Sequence, residues 1–196
     1  DLRHRREAFF WVRGAYRHSP IRIDVYRVGN GSKERVWNVF RKYHYLNSDM
    51  HVSAAQYVGL MNGNTLVCHT GVLHAAMMKG VKRVHRLVVL PPYQGIGIGT
   101  AFLRFVAQQY PDYTFNLITT TPALRHAIEK DKDHWILRRS GKVHPPSKAQ
   151  LKEGKPMAHI ARTLSCNRLT WSFDFINNNT KKQLPPEKDD TFDEIS

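Results

Sequence analysis

Cysteine is nearly missing: Cys68 and Cys166 are the two in 196 residues. Two cannot build a disulfide framework, and neither sits at zinc-ligand spacing, so no metal is expected. Cys68 falls inside an apolar run, where a free thiol acts as a small buried hydrophobe. Long hydrophobic stretches are lacking too, and no run approaches the ~18 apolar residues that span a bilayer. The opening residues, DLRHRREAFFWVRG, have neither the apolar core nor the cleavage site of a signal peptide. A reduced, cytoplasmic setting is the expectation. Acidic residues are scarce, 16 Asp and Glu against 30 Lys and Arg, for a formal net charge of +14. From Lys181 onward the chain holds five acids and three lysines, so the preceding 180 residues carry 27 cations against 11 anions, a formal +16. Such a body attracts nucleic acid, ribosome or a phosphorylated ligand. A merely solubilising surface is the plainer alternative.

What is present suits a folded domain, with 41% hydrophobic and 11% aromatic residues. The chain starts at Asp1 rather than Met. Residues 1–20, basic and aromatic with weak helical periodicity, read as a lead-in from a longer protein. Ile21 to Val28 alternates apolar and polar, the period of a half-buried strand. Ser32 is placed to cap a helix through KERVWNVFRKYH, with Val36, Val39, Phe40 and Tyr43 on one face. Two apolar runs flank Asn62-Gly63-Asn64, a hairpin signal, and RVHRLVVL follows as a third successive strand. A helix from about Gly97 to Tyr110 comes next, then a strand over Thr114 to Thr120. PALRHAIEK reads as a short helix with Pro122 in its first turn, and HWILRRSGKV as a strand. A Pro-, Gly- and Lys-rich stretch over 144–165 separates these from a last strand, Arg168 to Ile176. Residues 21–178 thus make one mixed α/β sheet domain, and 179–196 an acidic, disordered tail.

Glycines recur at every second position where the third strand hands over to a helix, in Gln94-Gly95-Ile96-Gly97-Ile98-Gly99. This matches neither the dinucleotide G-x-G-x-x-G nor the triphosphate P-loop. Physically, such a turn aims several N–H groups and the positive end of a helix dipole at one spot, which suits a phosphate. A tight turn with no ligand is the alternative.

LVVLPPYQGIGIG also resembles the signature of the GCN5-related N-acetyltransferases (GNAT superfamily), Q/R-x-x-G-x-G/A after a strand ending in apolar-x-Pro. The order of elements over 21–141, completed by the last strand, follows that family as well. The resemblance implies an α/β (α+β) fold whose mixed, mostly antiparallel central sheet is splayed at the signature strand and flanked by helices. It implies acetyl-CoA as co-substrate, with the amides of Gln94, Gly95, Ile96, Gly97, Ile98, Gly99 and Thr100 around its pyrophosphate. Leu87, Val88 and Val89 would run beside the pantetheine arm and acetyl carbonyl. Asn116 and Thr120, with Thr119 and Thr121, would bond the arm from the next strand, ordinary strand-end polarity being the alternative.

In such an enzyme an amine attacks the bound thioester directly, without metal or covalent enzyme intermediate. Many family members carry a Glu two residues before the aliphatic that is Leu87 here; this chain has His85, a residue able to act as base. Alternation puts His85 on the face of Leu87 and Val89, and a structural histidine is the alternative role. The family's acid is often a Tyr on the following helix, yet residues 122–135 contain none, and His126 and His134 are the titratable groups there. The implied acceptor mouth carries an aromatic–basic cluster of Arg41, Lys42, Tyr43, His44 and Tyr45. Lys142, Lys148 and Lys152 would join it if the charge serves a polyanion. The acceptor amine stays open among small molecule, protein and RNA. So do two rival readings: a non-catalytic accessory domain of this fold that binds nucleic acid or a nucleoprotein, and an interaction domain without cofactor.

Overall fold

A computed structural model of the chain describes residues 6–13, 19–44, 49–75, 78–142 and 169–177. Eight strands form one sheet: β1 (Arg6–Val12), β2 (Ile21–Arg27), β3 (Ala55–Met61), β4 (Thr65–His74), β5 (Val81–Val89), β6 (Thr114–Thr119), β7 (Trp135–Lys142) and β8 (Thr170–Phe175). Among the described residues three α-helices accompany them: α1 (Lys33–Phe40), α2 (Ile98–Gln108) and α3 (Pro122–Lys130). The strand order is β1-β2-β3-β4-β5-β6-β8-β7. All neighbours are antiparallel except β5 and β6. No helix among the described residues is long and apolar enough to cross a membrane.

Local chemistry places the connections. Asn62 and Gly63 both take positive φ, 53° and 73°, as a primed hairpin turn requires. Pro122 opens α3 where its missing N–H costs nothing. Ser32 stands at the N-cap of α1 as expected, but its side chain makes no capping bond.

Two sequence expectations need correction. Residues 6–12 are a strand and not a helical lead-in: β1 pairs antiparallel with β2 from Arg6↔Tyr26 to Val12↔Ile21. Phe10 on one face packs near Phe102 and Phe105 of α2, with ring centroids 6.3 and 6.1 Å apart, while Phe9 and Trp11 on the other stay exposed. The buried stripe of α1 is Val36, Trp37 and Phe40, while Val39 and Tyr43 are exposed. Trp37 displaces them because its ring, 5.4 Å from that of the fully buried His69, closes the core on that side.

Two cores sandwich the sheet. Ile23, Val25, Cys68 and Val72 meet Ile98, Phe102 and Val106 of α2 on one face. Val28, Val58 and Val88 meet Val36, Trp37 and Phe40 of α1 on the other. Cys68 is fully buried, and burial holds its thiol protonated, far above its ordinary pKa, so it is the small hydrophobe that its sequence context suggested.

Candidate functional site

The parallel pairing of β5 and β6 covers only Val81↔Thr114, Lys82↔Phe115 and Arg83↔Asn116. Beyond Arg83 the strands part, and the edge of β5 from Val84 to Val89 opens onto a wedge. Leu90 donates its N–H to Val67 O at 2.9 Å on the β4 side. Alternation then turns the polar groups of Val88 toward β4 and those of Leu87 and Val89 into the wedge. The Gln94 side-chain amide, donating to Val89 O at 2.8 Å, lies on that open side and ties the glycine loop to the strand. Val88 therefore does not serve the wedge. Its side chain is buried in the α1 core and its backbone belongs to β4.

The three glycines have two different jobs. Gly95 and Gly97 hold φ of 82° and 87°, and a Cβ on either would meet nothing within 4 Å. They let the backbone turn along the wall of an open cleft, where the Gln94 N–H is spent on Pro91 O at 3.3 Å. Gly99 is helical, and a Cβ there would come 3.3 Å from Val89 Cγ2. It lets α2 pack closely on β5. The first helical bond runs from Ala101 N to Gly97 O at 3.1 Å, so the N–H groups of Ile98, Gly99 and Thr100 have no partner inside the helix. Thr100 Oγ1 donates to Gly97 O at 3.0 Å and steadies this first turn.

The resulting cleft, about 560 Å³, is lined by Leu87, Val89, Gln94, Gly95, Gly97, Ile98, Gly99 and Thr100, all singled out by sequence. Tyr93, Thr121, Ala123, Leu124 and Ala127 complete it. Sequence reading missed Tyr93 and the α3 residues, although Tyr93 stands directly before Gln94 in the signature and Ala123 and Ala127 sit four apart, one turn of a helix face. No lining side chain is charged, so an anion here would be held by backbone N–H groups and the α2 dipole alone.

The side chains of the other expected cofactor residues do not line the cleft. That of Ile96 packs against the α2 core, which leaves its expected amide role untouched. Thr120 is only partly exposed and does not line the cleft, its neighbour Thr121 taking that place; Thr121 N–H bonds Thr119 Oγ1 at 3.0 Å. Asn116 is buried in the sheet with its amide committed: Nδ2 faces Ser172 Oγ at 2.9 Å, Phe173 O at 3.2 Å and Asp174 Oδ1 at 2.8 Å, and Oδ1 accepts from Arg83 Nε at 2.9 Å. It cannot also bond a cofactor arm.

His85 is displaced from its expected face by a bulge. Gly71 pairs with Arg86 and Val72 with Val84, so His85 is the extra residue of β5. Its ring turns away from the row of Leu87 and Val89 to the loop that follows α1, where His51 N–H points to Nε2 at 3.4 Å. Burial, then the charges of Arg86, His51 and His44, hold its pKa at about 4. His85 is thus a neutral proton acceptor at pH 7, on the wall of a second cavity of about 380 Å³ shared with His51, Ser53, Leu73, His74, Ala75, Arg83 and Val84.

The expected aromatic–basic cluster does not form as one surface. His44 is buried near Trp37, and burial followed by Arg86 lowers its pKa to about 4. Arg41 pairs with Asp49 at 3.1 Å, and Lys42 Nζ lies 4.9 Å above the exposed Tyr43 ring. Of the cluster, Arg41 lines a groove of about 540 Å³ between α1 and residues 49–52, and Lys42 and Tyr43 do not. Tyr45, Lys148 and Lys152, with the 144–165 stretch, Cys166 and the 179–196 tail, lie outside the described residues, as does the side chain of Lys142. On α3 and beyond it, His126 is exposed and His134 Nδ1 is 2.6 Å from Asp131 Oδ1; neither lines the cleft. No cluster of three metal-ligating side chains occurs among the described residues.

No family model and no curated protein matches this sequence. Solved structures do. An IAA acetyltransferase from Bacillus cereus superposes with a TM-score of 0.53 over 79% of this chain and 99% of its own, at 12% identity. A Bacillus subtilis acetyltransferase in complex with CoA gives 0.53 over 80% and 99%, at 11% identity. A GNAT family acetyltransferase from Elizabethkingia anophelis with acetyl-CoA bound gives 0.52 over 79% and 97%, also at 11%. The fold is that of the GNAT superfamily. Within the GNAT fold of this chain, the wedge between β5 and β6 and the cradle that opens α2 are contiguous, since Leu87 and Val89 line both.

Proposed function

We propose that the chain is an acetyl-CoA-dependent N-acyltransferase that joins the acetyl group to an amine acceptor in a ternary complex. One observation carries the reading: a cradle of free amides at the start of α2 adjoins the unpaired edge of β5. Acetyl-CoA is an anionic head on a long arm that ends in a thioester. The cradle suits its pyrophosphate, with room at Gly95 and Gly97 and no acidic side chain on the walls. The open N–H and C=O groups of Leu87 and the N–H of Val89 suit the amides of the arm, as an added strand would.

The chemistry asked of the protein is modest. The amine nitrogen forms a bond to the acyl carbon, the carbon–sulfur bond breaks, and the thiolate leaves with a proton from solvent. Backbone N–H groups of the β5 edge polarise the carbonyl. A neutral imidazole of low basicity cannot deprotonate a free alkylammonium efficiently, so the acceptor arrives as the free amine. Once its nitrogen bonds carbon, its N–H becomes strongly acidic, and we assign its acceptance to His85 on the second cavity, directly or through one water. Proximity within the wedge supplies the remainder.

Calorimetric titration of acetyl-CoA into the full chain is the direct test, followed by thiol release across small amines, peptides and tRNA. Absence of measurable acetyl-CoA affinity in folded protein would overturn the proposal. Binding without thiol release on any amine would leave the accessory-domain reading in its place.

A further inference from the structure

The Arg83 guanidinium stands where the β5–β6 ladder stops. Its one strong bond runs from Nε to Asn116 Oδ1 at 2.9 Å, and Asn116 is locked in turn by β8. Arg83 lines the second cavity with His51, Ser53, His74 and His85, and of its terminal nitrogens Nη2 has the weak acceptor Met78 Sδ at 3.7 Å. Among the described residues no carboxylate is within ion-pair distance of Arg83. The acid that acts on it, Asp174, is taken by Arg138 Nε at 2.9 Å. Burial and the neighbouring Arg139 work against the charge on Arg83, and only Asp174 favours it. The guanidinium nevertheless stays protonated at neutral pH. A fixed, partly buried, under-compensated planar fork is the arrangement that accepts a carboxylate or phosphate through two parallel N–H bonds.

Resting on the transferase reading of the adjoining cleft, we propose that Arg83 anchors an anionic group of the acceptor. Arg83 and His85 are two residues apart on one strand, a rise of about 7 Å. The acceptor is therefore a compact amine whose carboxylate or phosphate monoester lies a few bonds from the nitrogen. Asn116 is a positioning residue in this arrangement: it aims the fork and touches no substrate. The role also accounts for a buried asparagine whose amide is fully committed beside the wedge.

The test compares matched amines, O-phosphoethanolamine with ethanolamine and β-alanine with its amide, by saturation-transfer NMR on the full chain, with and without coenzyme A. The anionic member of at least one pair is expected to bind roughly 10-fold tighter or more, the worth of a charge-assisted bond. The pair with the larger difference tells phosphate from carboxylate. Arg83→Gln removes the preference while coenzyme A affinity, read by calorimetry, matches wild type. Equal binding within both pairs, or a preference untouched by Arg83→Gln, overturns the proposal. Should Arg83→Gln not fold, Arg83→Lys decides: it keeps charge but loses the fork, so a severalfold loss of preference supports the role and no loss overturns it. The titration of coenzyme A into wild type stands apart from all of this, so the transferase reading and the anion anchor fail separately.

Discussion

His69 makes the fold sensitive to mild acid. The side chain has no exposed surface, stacks 5.2 Å from the Phe40 ring, and shares its Nε2 with Gln56 Oε1 at 2.9 Å. With Nε2 donating, Nδ1 is a buried lone pair without a partner among the described residues. A second proton would place an unsatisfied charge in the α1 core. Burial first, and His44 second, therefore lower its pKa from 6.5 to about 3. The unfolded chain takes up that proton as pH falls through 6.5, while the folded chain refuses it until about 3. Stability is thus complete above pH 6.5 and declines below it. At pH 4.5 the difference amounts to about two pKa units, or about 3 kcal/mol from this one residue. His44 and His85, both lowered to about 4, push in the same direction. Against a domain stability on the order of 5–15 kcal/mol, this is a large fraction. Urea unfolding at pH 7.5 and 4.5 measures it, with His69→Phe as the comparison. The variant should be the less stable protein at pH 7.5, since Gln56 loses its partner. It should then lose about 2–3 kcal/mol less than wild type between the two pH values. Paired carboxylates contribute equally to both proteins and cancel. Equal pH slopes would refute the account of His69 as a buried neutral group.

Gly97→Asp should abolish acetyl-CoA binding in calorimetry, because it adds a carboxylate beside the cradle and forces a side chain onto a φ of 87°. Gly99→Ala should weaken binding without blocking the cradle, by pushing α2 off Val89; a structure of that variant with unmoved α2 would contradict the packing role. His85→Ala should lower turnover roughly 10²-fold with acetyl-CoA affinity kept. Because His85 has a pKa of about 4, the wild-type rate profile should show no acidic limb near 6.5; such a limb, lost in the variant, would show His85 to be more basic than its surroundings indicate. Gly63→Val should cost about 1–2 kcal/mol in thermal melts through the left-handed turn position, with activity unaffected.

Elements bounded by distinctive chemistry were legible in the sequence. The hairpin at Asn62-Gly63, the proline start of α3 and the glycine cradle each follow from backbone constraints that one residue type satisfies. β1 was not, because Phe9, Phe10 and Trp11 are consecutive aromatics and blur the period of two that would mark a strand. The stripe of α1 was misread by one position, since Trp37 is chosen by His69 on a strand over thirty residues away. The displacement of His85 is a property of cross-strand register: β4 has one residue fewer than β5 between two matched pairs, and neither strand shows this alone. For the same reason Asn116 looked like a ligand until its amide was committed at both ends, the nitrogen to β8 and the oxygen to Arg83 of β5. Local sequence reveals which groups line a site when they sit on one segment, as the loop residues do. It is silent when a partner strand decides which way a side chain turns.

The strand order has a consequence for how the molecule is made. β1 to β5 follow one another in space as in sequence, each pairing with its predecessor, with α1 carried on the connection from β2 to β3, so the strands of this half are all present once the chain has emerged to about Val89. The other half cannot be. Among the described residues β6 pairs with β5 at three positions only, and β7 reaches the sheet solely through β8, the last of the described strands, which must slot between two strands already present. During synthesis the chain therefore passes through a stage with a finished antiparallel half and an unpaired β6 edge, and the wedge beside β5 exists as a working cleft only after residues 170–175 arrive. A ribosome-bound chain halted before Thr170 should show native protection in β2–β5 and none in β6, with acquisition of coenzyme A affinity as the final step.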